Sequence, residues 1–94
     1  MPTTIALTAH DSQKDALVSF VEDYAELLSR YQIVATQTTG ERLQQSTPLE
    51  IQVLLPGAMG GDVQIAARVA EGEIAAVICL ADSLNTDNYH TDVV

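Results

Sequence analysis

Four short polar stretches, each following an apolar run, hold most of the side chains in this sequence that could bind or transform a ligand. They are His10-Asp11 with Lys14 one turn further on, Thr36-Gln37-Thr38-Thr39-Gly40, Pro56-Gly57-Ala58-Met59-Gly60-Gly61-Asp62, and Asp82-Ser83. Thr36, Thr38 and Thr39 offer three hydroxyls ahead of a predicted helix, whose unpaired N–H groups and positive dipole end suit a phosphate. The same residues also suit ordinary strand exit and helix capping, where Ser and Thr are favoured. Lys14 falls in the first turn of a long predicted helix, the dipole end where an acid would be the better stabiliser. It is either a cation kept to meet an anion or a plain solvated lysine. Asp62 follows Gly57, Gly60 and Gly61, which permit close approach of a ligand to the backbone. Its carboxylate sits at a ligand site or caps a helix.

His10, Asp11, Asp82, His90 and Asp92 add titratable groups near the same places. Neither His10-Asp11 nor His90-Thr91-Asp92 has the i, i+4 spacing of a zinc helix, and there is no cysteine cluster, so no metal is expected. No Ser/His/Asp or Cys/His nucleophile arrangement stands out, and Cys79, inside an apolar run, is expected to be buried and inert. The glycine stretch lacks both the Gly-Lys-Ser/Thr ending of a P-loop and the spacing of a dinucleotide fingerprint. That excludes an ATPase and disfavours NAD.

The elements that must hold these residues alternate. Thr4 to Ala9 reads as a short strand. From Ser12 to Tyr31, Leu17, Phe20, Val21, Tyr24, Leu27, Leu28 and Tyr31 recur at helical spacing and predict an amphipathic helix with one buried side, capped by Asp11 or Ser12. Ile33 to Ala35 reads as a strand, Gly40 to Gln45 as a short helix, and Ile51 to Leu55 as a third strand. Val63 to Glu71 reads as a helix with Ile65, Ala66, Val69 and Ala70 inward, ended by Gly72. Ile74 to Leu80 is a nearly continuous apolar run, as expected of a strand covered on both faces. This β-α-β-α-β-α-β order predicts a mostly parallel sheet in a three-layer, Rossmann-like α/β domain spanning residues 1–94. All four polar stretches then lie at the C-terminal ends of the strands, the edge where open α/β sheets bind ligands.

Composition narrows the partners. With 94 residues and 13 acidic against 4 basic side chains, the chain carries a net charge of −9. Its averaged field repels nucleic acids and anionic membranes, so an anionic ligand must be held by local features. No apolar run approaches the roughly 20 residues of a membrane helix. The start lacks the basic layout of a secretory signal, and the single cysteine fits a reducing compartment, so a cytoplasmic location is expected.

Taken in order, these residues resemble the methylglyoxal synthase family. Ile5-Ala6-Leu7-Thr8-Ala9-His10-Asp11-Ser12-Gln13-Lys14 looks like its opening strand and His-Asp-x-x-Lys segment. Ala35-Thr36-Gln37-Thr38-Thr39-Gly40 looks like its Ala-Thr-Gly-Thr-Thr-Gly loop, and Gly57-Ala58-Met59-Gly60-Gly61-Asp62 like its Gly-Pro-Met-Gly-Gly-Asp segment. Glu71-Gly72-Glu73-Ile74 and Asp82-Ser83-Leu84-Asn85 follow in register. The resemblance implies conversion of dihydroxyacetone phosphate to methylglyoxal and inorganic phosphate, without a cofactor, in a homo-oligomer. It puts Asp62 on the catalytic base, His10 on a substrate-oxygen contact, and Lys14, Thr36, Gln37, Thr38, Thr39, Pro56 and Gly57 on phosphate-binding positions. Asp11, Asp82, His90 and Asp92 complete the candidate catalytic set.

Four departures from the family pattern stand out. Gln37 replaces a glycine and brings a side chain toward the phosphate, and Pro56 replaces a serine, removing a hydroxyl and an N–H. Tyr89 takes the position of a histidine that here comes one residue later, as His90. The sequence stops at Val94, short of the family's last elements, so another copy or another chain is expected to complete the sheet. Beside the lyase stand two other readings: a non-catalytic module that binds a phosphorylated metabolite or a partner protein for regulation, and a fragment of a longer chain.

Overall fold

The computed structural model describes residues 3–81. Four strands form one parallel sheet in the order β3-β2-β1-β4, with β1 at Thr4–Ala9, β2 at Gln32–Ala35, β3 at Ile51–Val53 and β4 at Ala76–Leu80. Helices α1 (Lys14–Asp23) and α2 (Ala25–Leu28) follow β1, α3 (Gln37–Ser46) follows β2, and α4 (Gly61–Ala70) links β3 to β4. Register is set by side-chain alternation, because successive residues of a strand face opposite sides of the sheet. In β1, Leu7 faces a core built with Leu17 and Val21 of α1, Leu28 of α2 and Leu43 of α3. Ala6 faces the other side, where Val34, Leu54, Ile65 and Ile74 pack. The result is the predicted three-layer α/β architecture, with α1 to α3 on one face and α4 on the other.

Several boundaries differ from the sequence reading. The helix predicted from Ser12 to Tyr31 is a 3-10 turn (Asp11–Gln13), then α1, then α2, broken at Tyr24 with φ −113° and ψ 20°. Neither Asp11 nor Ser12 caps it, and no side-chain cap bond forms at its start. Its buried stripe is narrower than predicted: Leu17, Val21 and Leu28 are buried, whereas Phe20, Tyr24 and Leu27 lie on the next stripe over and stay substantially exposed. Similarly, α4 buries Ile65 while Val69 is exposed, and Ala66 and Ala70 face outward. One contact row meets the sheet there. β4 is partly rather than fully covered, since it is the edge of the described sheet.

Gly72 ends α4 as predicted. It sits at φ 79°, and the bonds Glu73 N–H to Arg68 O (2.8 Å) and Gly72 N–H to Val69 O (3.0 Å) are the two bonds of a Schellman motif. Gly61 is fixed by space instead. A Cβ there would land on the Leu55 carbonyl oxygen and 2.8 Å from Thr36 Cγ2, because α4 starts directly against the ends of β3 and β2. Gly61→Ala is therefore expected to destabilise the fold by about 1 to 3 kcal/mol, read as a lowered urea midpoint. An unchanged midpoint would show that the strand ends give way freely. Among the described residues, no helix is long and apolar enough to cross a membrane.

Candidate functional site

The strand order creates a crevice at the C-terminal edge. The chain leaves β1 toward β2 and β3 but returns across the sheet to place β4 on the other side of β1, the kind of reversal at which ligands bind in open α/β sheets. A cleft of about 840 Å³ opens there. His10, Asp11, Ser12 and Lys14 line it from the end of β1, Thr36 and Thr38 from the end of β2, and Pro56, Gly57, Ala58 and Asp62 from the β3–α4 connection. Three of the four polar stretches thus converge. Asp82, His90, Asp92 and Tyr89 lie outside the described residues.

Lys14 is not a solvated surface lysine. Its side chain is 12% exposed, and its Nζ donates to the Ala9 carbonyl (3.0 Å) and to Thr39 Oγ1 (3.2 Å) while pairing with Asp11 Oδ1 at 3.3 Å. The ammonium is thereby held at the cleft wall by β1 and α3 together. The helix reading of the threonine stretch also changes: α3 starts at Gln37, three residues earlier than predicted, with Thr36 in extended conformation as its N-cap. Gly40 N–H reaches back to Thr36 O at 2.7 Å, which leaves the Gln37, Thr38 and Thr39 N–H groups at the helix start without intrahelical partners. Thr36 makes no side-chain cap bond. Thr38 is exposed to the cleft, whereas Thr39, 2% exposed, lies beneath it and holds the lysine.

The Gln37 side chain does not crowd the cleft. It donates to Glu41 Oε2 at 3.2 Å, one turn along α3, and lines a separate hollow beside β3. What Gln37 offers at the helix start is its N–H, which has no intrahelical partner. Pro56 does line the cleft, lacks an N–H, and uses its carbonyl to accept from Met59 and Gly61, both at 2.9 Å.

Asp62 is the second residue of α4, with Gly60 at the N-cap in a left-handed conformation (φ 114°). It is therefore not the cap. Its carboxylate lies across Gly57, where an added Cβ would sit 3.2 Å from Oδ2, and no hydrogen bond or ion pair within the described residues engages it. An anionic side chain at a helix N-terminus is favoured by the dipole, and it faces the same cleft as Lys14. His10 lines the cleft from the end of β1, anchored by its N–H to Leu80 O at 2.9 Å.

Sequence reasoning missed three contributors. Thr8 and Cys79, paired across β1 and β4, form part of the cleft lining, so Cys79 is partly exposed rather than buried; an apolar run hides which members face an opening. Gln64 Oε1 accepts from Leu55 N–H at 3.0 Å and ties the β3–α4 connection to the helix bearing Asp62. No local signal marks it. A second hollow, about 450 Å³ at the opposite end of the sheet, is lined by Tyr31, Gln32, Pro48 and Glu50 among others and contains no Lys or Arg. It offers an anion no cation. Among the described residues, no cluster of three or more His, Cys, Asp or Glu is placed to hold a metal.

A family model described as MGS-like domain matches residues 16–93. A methylglyoxal synthase of Thermus thermophilus is 46% identical over 89 residues, covering 95% of this chain and 71% of the relative. A methylglyoxal synthase of Borreliella afzelii is 45% identical over 93 residues, covering 99% and 73%. Among solved structures, methylglyoxal synthase from Elizabethkingia anophelis NUHP1 superposes with a TM-score of 0.86 at 35% identity, covering 98% of this chain and 60% of that one. The chain thus spans about seven tenths of these curated relatives and three fifths of the solved chain.

Proposed function

Because this chain belongs to the MGS-like domain family, we propose that its cleft carries out the methylglyoxal synthase reaction, converting dihydroxyacetone phosphate to methylglyoxal and inorganic phosphate. The observation that supports this most is the placing around one cleft of a held ammonium, an open helix N-terminus and a carboxylate that is unpaired among the described residues. The phosphate group is bound by Lys14, the hydroxyls of Thr36 and Thr38, and the N–H groups at the start of α3 and at Gly57. Asp62 takes a proton from the hydroxymethyl carbon next to the ketone. The C–H electrons form an enediolate, whose oxygen is stabilised by His10. Collapse of the enediolate breaks the bond between the other terminal carbon and the phosphate oxygen. The former hydroxymethyl carbon becomes the aldehyde as its hydroxyl proton is lost, and phosphate leaves with the C–O electron pair. The enol that remains ketonises to methylglyoxal by taking a proton at the methyl carbon, while Asp62 returns its own to solvent or to the departing phosphate. No covalent enzyme intermediate is required, in keeping with the absence of a nucleophile arrangement in the sequence.

Incubation of the chain with dihydroxyacetone phosphate in deuterated solvent tests the reading. Methylglyoxal release and uptake of deuterium at the hydroxymethyl carbon are both expected. The second reading, a module that binds a phosphorylated metabolite without turning it over, is favoured by one feature: Pro56 in the cleft wall supplies neither a hydroxyl nor an N–H to an anion. Phosphate binding with neither release nor exchange would establish that module in place of the enzyme.

A further inference from the structure

An ammonium has three N–H donors and no acceptor. In Lys14, two of them are spent on the interior, one on the Ala9 carbonyl and one on the hydroxyl of the 2%-exposed Thr39. Releasing either would leave an oxygen without its donor, which is unfavourable where water is excluded. Beside the remaining direction lies Asp11 Oδ1, an ion-pair partner 3.3 Å from Nζ that is not hydrogen-bonded to it, and here the balance is different: the Asp11 side chain is fully exposed, so on leaving the lysine it is hydrated at once. The pair is open to water on its Asp11 side, and ion pairs open to water are worth little and break readily. An anion that uses Lys14 therefore competes with this carboxylate for the ammonium.

We propose that Asp11 is an affinity-setting residue, a built-in competitor that serves as the counter-ion of Lys14 when the cleft is empty and is displaced when a phosphate binds. The inference rests on the reading that the cleft takes a phosphate group, and it assigns Asp11 a role distinct from proton transfer. Displacement taxes every incoming anion by one and the same factor, one plus the equilibrium constant of the Asp11–Lys14 pair. A carboxylate that acted only through its field would behave otherwise: it would repel a dianion twice as strongly as a monoanion.

These two cases separate in a titration of native protein and Asp11→Asn, followed by amide chemical shifts at Thr38 and Thr39 and using inorganic phosphate at pH 8 and formate as probes. Removal of an exposed pair is expected to tighten phosphate binding about two- to sixfold, with formate tightened by the same factor and Asp11→Ala repeating both results. Unchanged or weakened phosphate binding overturns the proposal, as does a phosphate gain near the square of the formate gain, or one with no formate gain at all. If neither protein binds phosphate, both the inference and the phosphate-site reading fall. If the native chain binds phosphate and releases methylglyoxal but Asp11→Asn brings no gain, only the inference falls.

Discussion

Asp62→Asn is expected to lower methylglyoxal release by about 10²- to 10⁴-fold, the usual contribution of a positioned general base, while phosphate binding is not weakened. The substitution keeps size and removes the basic lone pair. Its structural effect should be small, because Asp62 is exposed, caps no helix, and makes no bond or ion pair with the described residues that folding would lose. The expected chemical effect follows from position. The carboxylate lies across Gly57 and lines the same cleft as Lys14 and the start of α3. For Asp62 to act as the base, a substrate anchored in this cleft by its phosphate must extend its carbon chain toward this carboxylate. Solvent exchange at the hydroxymethyl carbon should fall in parallel with release, since both need the same proton transfer. Release at the native rate from Asp62→Asn would remove Asp62 from the mechanism and leave Asp11 as the carboxylate among the described cleft residues to test next.

Much of this architecture could be read from residue pattern, for identifiable reasons. The predicted bounds of β1 match the observed ones because Ile5 and Leu7 alternate with Ala6 and because His10 and Asp11 stop the run. Gly72 was legible because a helix end needs a left-handed residue and glycine supplies it without strain. The start of α3 was not. Thr38 and Thr39 are poor helix formers, and what draws them into the helix is tertiary: Thr39 is buried and bonded to a lysine 25 residues earlier in the sequence. The excess width assigned to the buried stripes of α1 and α4 has a similar origin. Hydropathy marks Phe20, Tyr24, Leu27 and Val69 as apolar, but only contact with the sheet decides which apolar row is covered.

The lining of this candidate cleft was legible more than the contacts its residues make. Convergence of polar stretches at strand ends follows from parallel topology alone, and the cleft contains the expected His10, Lys14, Thr36, Thr38, Pro56, Gly57 and Asp62. Three roles needed coordinates. Gln37 points along its own helix rather than at the anion, Thr39 holds the lysine from beneath, and Asp62 is free of capping duty. Gly61 belongs to the same class. It reads in sequence as one more flexible residue, yet its need is for space, since α4 can begin against Leu55 only where no side chain intervenes.

Lys14→Met is expected to weaken inorganic phosphate binding about 10- to 150-fold, the equivalent of the 1.5 to 3 kcal/mol carried by a hydrogen bond to a charged group. The expectation is large because nothing else nearby replaces the charge. Of the four basic residues in a chain of net charge −9, Arg42 pairs with Asp15, Arg68 reaches Gln52 of β3, and Arg30 precedes β2 at the far end of the sheet. Lys14 alone lines the cleft. Methionine preserves the apolar stem, so the packing along α1 is kept while the ammonium is lost. The change also strips the buried Thr39 hydroxyl of its donor, and a lowered melting temperature is expected alongside. Titration well below that temperature, with Thr39→Val as a companion, separates the two effects: Thr39→Val loses the anchor but keeps the cation, and should weaken phosphate binding far less than Lys14→Met. Equal affinity of Lys14→Met and the native chain would show that the helix N-termini hold the anion unaided, and that the lysine serves only to join β1 to α3.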